Sequence, residues 1–190
     1  MSEREGLINK ILGIELNMFL KVPTSQPTQF QEDREGFKLA RKSVFELWSC
    51  ETLKSYLNDL FNATRRGINV MTQKYARMDD LISPLNENPV IDEIVAIESQ
   101  WQEEVVCKYP HIFRKHSPQY SGDTDNTLSF SLYLKAELET YSDNTLDLYY
   151  KDLQLAIQAK KNMIEERYTH IFQRLGYSSL EEANESLKEG

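Results

Sequence analysis

The chain has 190 residues, 40% of them hydrophobic and 27% charged, with 8 Phe, 10 Tyr and 2 Trp, which is enough apolar material for a packed core and argues against global disorder. Only 7 Gly and 6 Pro are present, too few turn-formers for a sandwich, a barrel or a collagen-like fold, and the composition favours long helices. The net charge of −8 argues against nucleic-acid and anionic-membrane binding, and the small basic pairs Arg65-Arg66 and Lys160-Lys161 read as solvated helix ends. Cys50 and Cys107 lie far apart and suit a reduced chain rather than a disulfide scaffold. The opening Met1-Ser2-Glu3-Arg4-Glu5 lacks a basic region followed by an apolar run, so the expectation is no signal peptide, no membrane span and a cytoplasmic location.

Taken in chain order, apolar residues recur at helical spacing. The first stripe is Leu7, Ile8, Ile11, Met18 and Phe19. Prolines 23 and 27 then mark a loop. Further stripes are Phe37, Ala40, Val44 and Trp48, then Leu53, Tyr56, Leu57, Leu60 and Thr64, with a break at Gly67, then Val70, Met71 and Met78. After the loop at Pro84 and Pro89 come Ile91, Ile94, Val95, Ile97, Trp101 and Val105, and Pro110 and Pro118 mark a third loop. The remaining stripes run from Phe130 to Tyr141, from Leu146 to Ile157 and from Ile164 to Ile171. Ser179 with Glu182 forms a capping-box pattern that opens a short terminal helix over about residues 179–188. This predicts an all-α single domain of about eight helices plus that tail, with no strand.

The chain also repeats itself. Lys42–Tyr75 and Lys135–Tyr168 share eleven identities in thirty-four ungapped positions, where unrelated segments give about two. The identities include Glu46/Glu139, Ser49/Ser142, Tyr56/Tyr149, Asp59/Asp152, Asn69/Asn162 and Tyr75/Tyr168. Upstream, Ile11-x-x-Ile14-Glu15 aligns with Ile94-x-x-Ile97-Glu98, the second copy carrying ten more residues in its first loop. The expectation is a four-helix unit used twice, over about residues 5–82 and 88–175, packed about a pseudo-twofold axis. Ser49, Ser142, Asn69 and Asn162 are expected helix N-caps, and Lys42–Glu46 and Lys135–Glu139 expected i,i+4 pairs on the polar face. Tyr56 and Tyr149, each three residues before an aspartate, fit either a twice-used hydrogen-bond pair or plain helix packing.

Glu15 and Glu98 interrupt apolar stripes at equivalent places, and Glu137 lies inward between Leu134 and Leu138. A buried carboxylate costs several kcal/mol unless it is paired. Two readings follow: an internal acidic site for a metal or cationic ligand, or a structural network satisfied by Tyr hydroxyls and Arg guanidiniums. A ferritin-like di-metal site needs Glu-x-x-His, and none occurs. Cys107 and His111 have no second ligand pair for zinc, and Asp123-Thr124-Asp125-Asn126 lacks the Gly and Glu that a calcium loop requires. No metal site is expected, and no phosphate loop or nucleophile elbow occurs.

Several runs resemble one family: Ile14-Glu15-x-x-Met18-Phe19, Gln31-Glu32-Asp33, Arg41-x-Ser43-x-Phe45-x-x-Trp48, Asn69-x-x-x-x-Lys74-Tyr75-Ala76-x-Met78, Glu137-Leu138-x-Thr140-Tyr141-Ser142 and Gly176-Tyr177-x-Ser179-Leu180-Glu181-Glu182-Ala183. Across almost its whole length the chain is similar to the bacterial domain-of-unknown-function family 4125 (DUF 4125), departing from the family pattern at Glu32, Val44 and over residues 131–138. The resemblance implies a soluble all-helical bacterial protein with no established activity, substrate or cofactor. It adds Gln31, Asp33 and Arg41 to Glu15 and Glu137 as pocket residues, and it hints at a nucleotidyltransferase-like partner.

Two functions remain open. One is a non-catalytic module binding a partner protein or small molecule between its halves, or forming a homodimer. The alternative is a carboxylate-based enzyme, divalent-metal dependent or not, with Glu15 and Glu98 as ligands or base and Tyr75 or Tyr168 as acid.

Overall fold

A computed structural model describes residues 2–23, 33–115 and 126–188. The chain is all-helical, with ten helices and no strand among the described residues: α1 (Glu3–Phe19), α2 (Arg34–Phe45), α3 (Cys50–Arg65), α4 (Val70–Met78), α5 (Val90–Lys108), α6 (Pro110–Lys115), α7 (Asn126–Leu138), α8 (Asp143–Gln158), α9 (Met163–Arg174) and α10 (Leu180–Ser186). The helix beyond those expected is α6. Pro110 fits its first position, where the missing N–H has no intrahelical acceptor to lose. The expected Pro110–Pro118 loop therefore begins as a helical turn, and the ten-residue insertion falls outside the described residues.

Short polar side chains start most of these helices. Ser2, Asp33, Ser49, Asn69, Ser142, Asn162 and Ser179 each accept a hydrogen bond from a backbone N–H of the first turn. Gly67 ends α3 at φ 68°, and Ile68 N–H reaches back to the Ala63 carbonyl at 2.9 Å. The same closure ends α8, where Lys161 N–H meets the Ala156 carbonyl at 2.9 Å, but a lysine, Lys160, takes the left-handed conformation at φ 56°.

The expected i,i+4 pair of Lys42 and Glu46 is present, with the charged atoms 4.0 Å apart. Two other local expectations need correction. Lys135 bonds Asp92 at 2.6 Å instead of Glu139, which is buried and holds Arg77 of α4 at 2.5 Å. At α10 the Glu182 carboxylate accepts from Ser178 N–H, one residue before the cap, because the Ser178 hydroxyl adds a second bond there.

Eight of the helices pack in matched pairs. α1 packs on α2, α3 and α4, and α5 packs in the same way on α7, α8 and α9. Between these sets, α4 meets α7, α2 meets α9, and α3 meets α8. A single apolar core runs through both sets. At its centre Trp48 contacts Tyr149 with ring centroids 4.9 Å apart, and Tyr141 contacts Tyr56 at 4.7 Å. Short connections leave each helix little choice but to lie against its neighbours.

Candidate functional site

Five elements bring a charged cluster into the interior. Glu15 enters from α1 because it shares the face of Ile11, Met18 and Phe19, and it has no exposed surface. Arg41 of α2 clamps it with two bonds, Nε to Oε2 at 2.8 Å and Nη2 to Oε1 at 2.7 Å. Tyr56 of α3 donates to Glu15 Oε1 at 2.6 Å. The third guanidinium nitrogen of Arg41, Nη1, lies 2.8 Å from Glu137 Oε1 on α7. Tyr141 also donates to that oxygen at 2.7 Å, and Lys74 of α4 donates to Oε2 at 2.5 Å. The Lys74 ammonium lies 3.5 Å from the Tyr133 ring centroid, and the Arg41 guanidinium 4.8 Å from that of Phe45.

Two buried carboxylates thus face two buried cations. Burial alone would push the Glu137 carboxyl up, but the charges of Arg41 and Lys74 overcome this and hold it well below the usual carboxylate range. Burial opposes the charged forms of Arg41 and Lys74 in turn, and the adjacent carboxylates more than compensate, raising both. The hydroxyls of Tyr56 and Tyr141 are pushed up, first by burial and then by the carboxylates they serve. Every oxygen of Glu15 and Glu137 already accepts from this chain's own donors.

Glu98 on α5, which the sequence repeat aligns with Glu15, has far fewer partners. Tyr149 of α8 donates to its Oε1 at 2.5 Å, repeating the Tyr56–Glu15 bond. No cation bonds to it among the described residues. Burial pushes the Glu98 carboxyl up to about 7, against the Tyr149 bond and the nearby charge of Arg167 on α9, and with a further upward push from Glu137. Four polar atoms among the described residues are buried without a hydrogen-bond partner: Gln102 Oε1, one turn beyond Glu98, Arg167 Nε, Trp48 Nε1, whose ring packs on Tyr149, and His170 Nδ1, which faces the Glu46 carboxylate at 3.3 Å instead.

Of the other expected residues, Tyr75 borders the first cluster, close enough for the charges of Lys74, Glu137 and Arg41 to act on its hydroxyl, and Tyr168 borders the second, its ring centroid 5.8 Å from the Arg167 guanidinium. Asp33 caps α2 at the surface, 2.8 Å from Gly36 N, so close that a Cβ on Gly36 would strike its carboxylate. Tyr75 packs beside Phe19 with ring centroids 6.4 Å apart, and burial pushes its hydroxyl up to about 12. Tyr168 packs edge-on against Phe113 at 5.0 Å. Gln31 lies outside the described residues. Tyr56 and Tyr149 pair with glutamates, not with the aspartates three residues on.

Sequence reasoning missed Lys74 and Arg167 as members of these clusters, although a signal was present. Both lie 93 residues apart, the spacing of the repeat, so a cation recurs at one place on an inward stripe.

Among the described residues, no group of three or more His, Cys, Asp and Glu side chains is placed to hold a metal ion, and no helix is long and apolar enough to cross a membrane. No curated protein and no solved structure matches the chain. The family described as "Protein of unknown function (DUF4125)" matches residues 5–185, nearly the whole length that carries the helices and both carboxylate clusters, and the chain belongs to that family.

Proposed function

We propose that this protein is a non-catalytic binding module that takes up a small molecule or a partner segment between its two sets of helices, on the side of Glu98. The observation that carries this reading is the contrast between the two buried clusters. Around Glu15 and Glu137 the chain satisfies its own charges. Around Glu98 it leaves buried donors and acceptors without partners, and such groups are costly unless something meets them. The matched helix contacts and the matched Tyr56–Glu15 and Tyr149–Glu98 bonds support reading the fold as one four-helix unit used twice. In that reading one copy has become the rigid support and the other has kept an open requirement.

A melting-temperature screen of the full chain against small molecules and candidate partner proteins, including a nucleotidyltransferase-like domain, tests the proposal. Ligand-dependent stabilisation that Glu98→Gln weakens supports it. A chain whose melting is indifferent to every compound and partner, and which stays monomeric, contradicts it. One observation favours the enzyme reading: a carboxyl held at about 7 suits general acid–base work. Ligand turnover lost in Glu98→Gln while binding persists would decide for catalysis.

A further inference from the structure

The two clusters can be compared position by position along the repeat spacing of 93 residues. Glu137 corresponds to Val44, Tyr141 to Trp48 and Lys74 to Arg167. Arg41 corresponds to Leu134. In the first cluster Lys74 and Tyr141 donate to the Glu137 carboxylate. In the second, their counterparts Arg167 and Trp48 present buried N–H groups that meet no acceptor, and valine stands where the carboxylate would be. In the first cluster the Arg41 cation clamps Glu15. In the second, Glu98 has no bonded cation, the Gln102 Oε1 acceptor one turn away is empty-handed, and leucine stands where the cation would be.

The second cluster therefore lacks one carboxylate and one cation, and it keeps the groups that would receive each. Resting on the binding-module reading above, we infer that the ligand is a small zwitterion carrying an ammonium and a carboxylate, the charge pattern of a free amino acid. Its ammonium donates to Glu98 and Gln102, as Arg41 does to Glu15. Its carboxylate accepts from Arg167 Nε and Trp48 Nε1, as Glu137 accepts from Lys74 and Tyr141. A ligand of this kind adds no net charge to the interior, so the penalty on burying a lone anion beside Glu98 does not arise. Arg167 is only half-buried, as are its neighbours along α9, so the cluster reaches the surface beside that helix.

Trp48 supplies the readout. The full chain has two indole N–H groups, Trp48 and Trp101, which Trp101→Phe tells apart in a nitrogen-15 spectrum. The common L-amino acids are titrated one at a time, beside acetate and methylammonium as carriers of one charge each. The expected result is a saturable shift of the Trp48 indole signal with at least one amino acid, at concentrations about tenfold below those needed for acetate or methylammonium. Arg167→Met and Glu98→Gln should each weaken this binding about tenfold or more. Val44→Glu, which supplies the missing carboxylate from the chain itself, should abolish it while the protein stays folded.

Three outcomes overturn the inference. One is a Trp48 signal unmoved by every amino acid. Another is acetate acting as strongly as the best amino acid. The third is a response that survives in both Arg167→Met and Val44→Glu. In each of these cases a melting shift with some other compound would still stand for the binding-module reading, so the two fail separately.

Discussion

Asp59 and Asp152 each hold the start of the other's helix. Asp152 on α8 accepts from Ser49 N–H at 2.9 Å and from the Thr52 hydroxyl at 2.7 Å, at the beginning of α3. Asp59 on α3 accepts from Ser142 N–H at 3.1 Å, from the Ser142 hydroxyl at 3.0 Å and from the Thr145 hydroxyl at 2.6 Å, at the beginning of α8. Each carboxylate also lies at the positive end of the opposing helix dipole. The crossing of α3 and α8 is thus locked twice by the same chemistry.

Removing either lock should loosen this crossing. Asp152→Ala leaves a backbone donor and a hydroxyl without their charged acceptor and should cost about 2 kcal/mol, and Asp59→Ala should cost a similar amount. The two locks share one helix pair, so the double variant should depart from the sum by about 0.5 kcal/mol or more. Urea denaturation of the four proteins measures both quantities, and strictly additive losses would show that the locks act independently.

The charge balance around Arg41 makes a sharper prediction. Glu137→Gln leaves two buried cations facing one carboxylate and should destabilise the fold by about 3–5 kcal/mol. The double variant Glu137→Gln, Lys74→Met restores the balance and should recover part of that loss. The same cluster sets the acid limit of the fold. The folded pKa of Glu137 lies below its unfolded value, so its contribution is present at neutral pH and is lost as pH falls through the folded pKa. Glu137→Gln should therefore flatten the acid side of a stability profile, and an unchanged acid limb would contradict this account.

Glu98 titrates in the opposite sense. Its folded pKa of about 7 lies above the ordinary 4.5, so the native state holds the extra proton. Stability from this group is full below the unfolded pKa and is lost as pH rises through the folded one, by of order 3 kcal/mol in total. Glu98→Gln keeps an acceptor for Tyr149 without the charge. It should remove the decline between about pH 4.5 and 7 and raise the melting temperature at pH 8. Melting temperatures across that range are the measurement, and a variant no more stable than the parent at pH 8 would be the contrary result.

The ends of α3 and α8 offer a backbone test. Gly67 and Lys160 both take positive φ in the same helix closure, but only glycine does so without crowding its own Cβ. Lys160→Gly should stabilise the protein by about 0.5–1 kcal/mol, and Gly67→Ala should destabilise it by about 1 kcal/mol or more. Calorimetry of the two variants checks the signs.

Much of this architecture was legible in the residues alone. Apolar spacing placed the helices, Ser49, Ser142, Asn69 and Asn162 announced their starts, and Gly67 announced an end. Periodicity also put Glu15, Glu98 and Glu137 on inward faces, because one helix turn is enough to decide which way a side chain points. Partnership is a different matter. Nothing within α1, α2 or α7 says that Arg41 will lie between Glu15 and Glu137, since their separations of 26 and 96 residues are closed only when α1, α2 and α7 pack. Lys135 and Glu139 show the same limit, for helical spacing made them a pair and packing gave each a closer partner on another helix. Local spacing decides the face a residue presents. Only the tertiary fold decided which charges meet, and with it the difference between Glu15, clamped by Arg41, and Glu98, which receives one tyrosine hydroxyl.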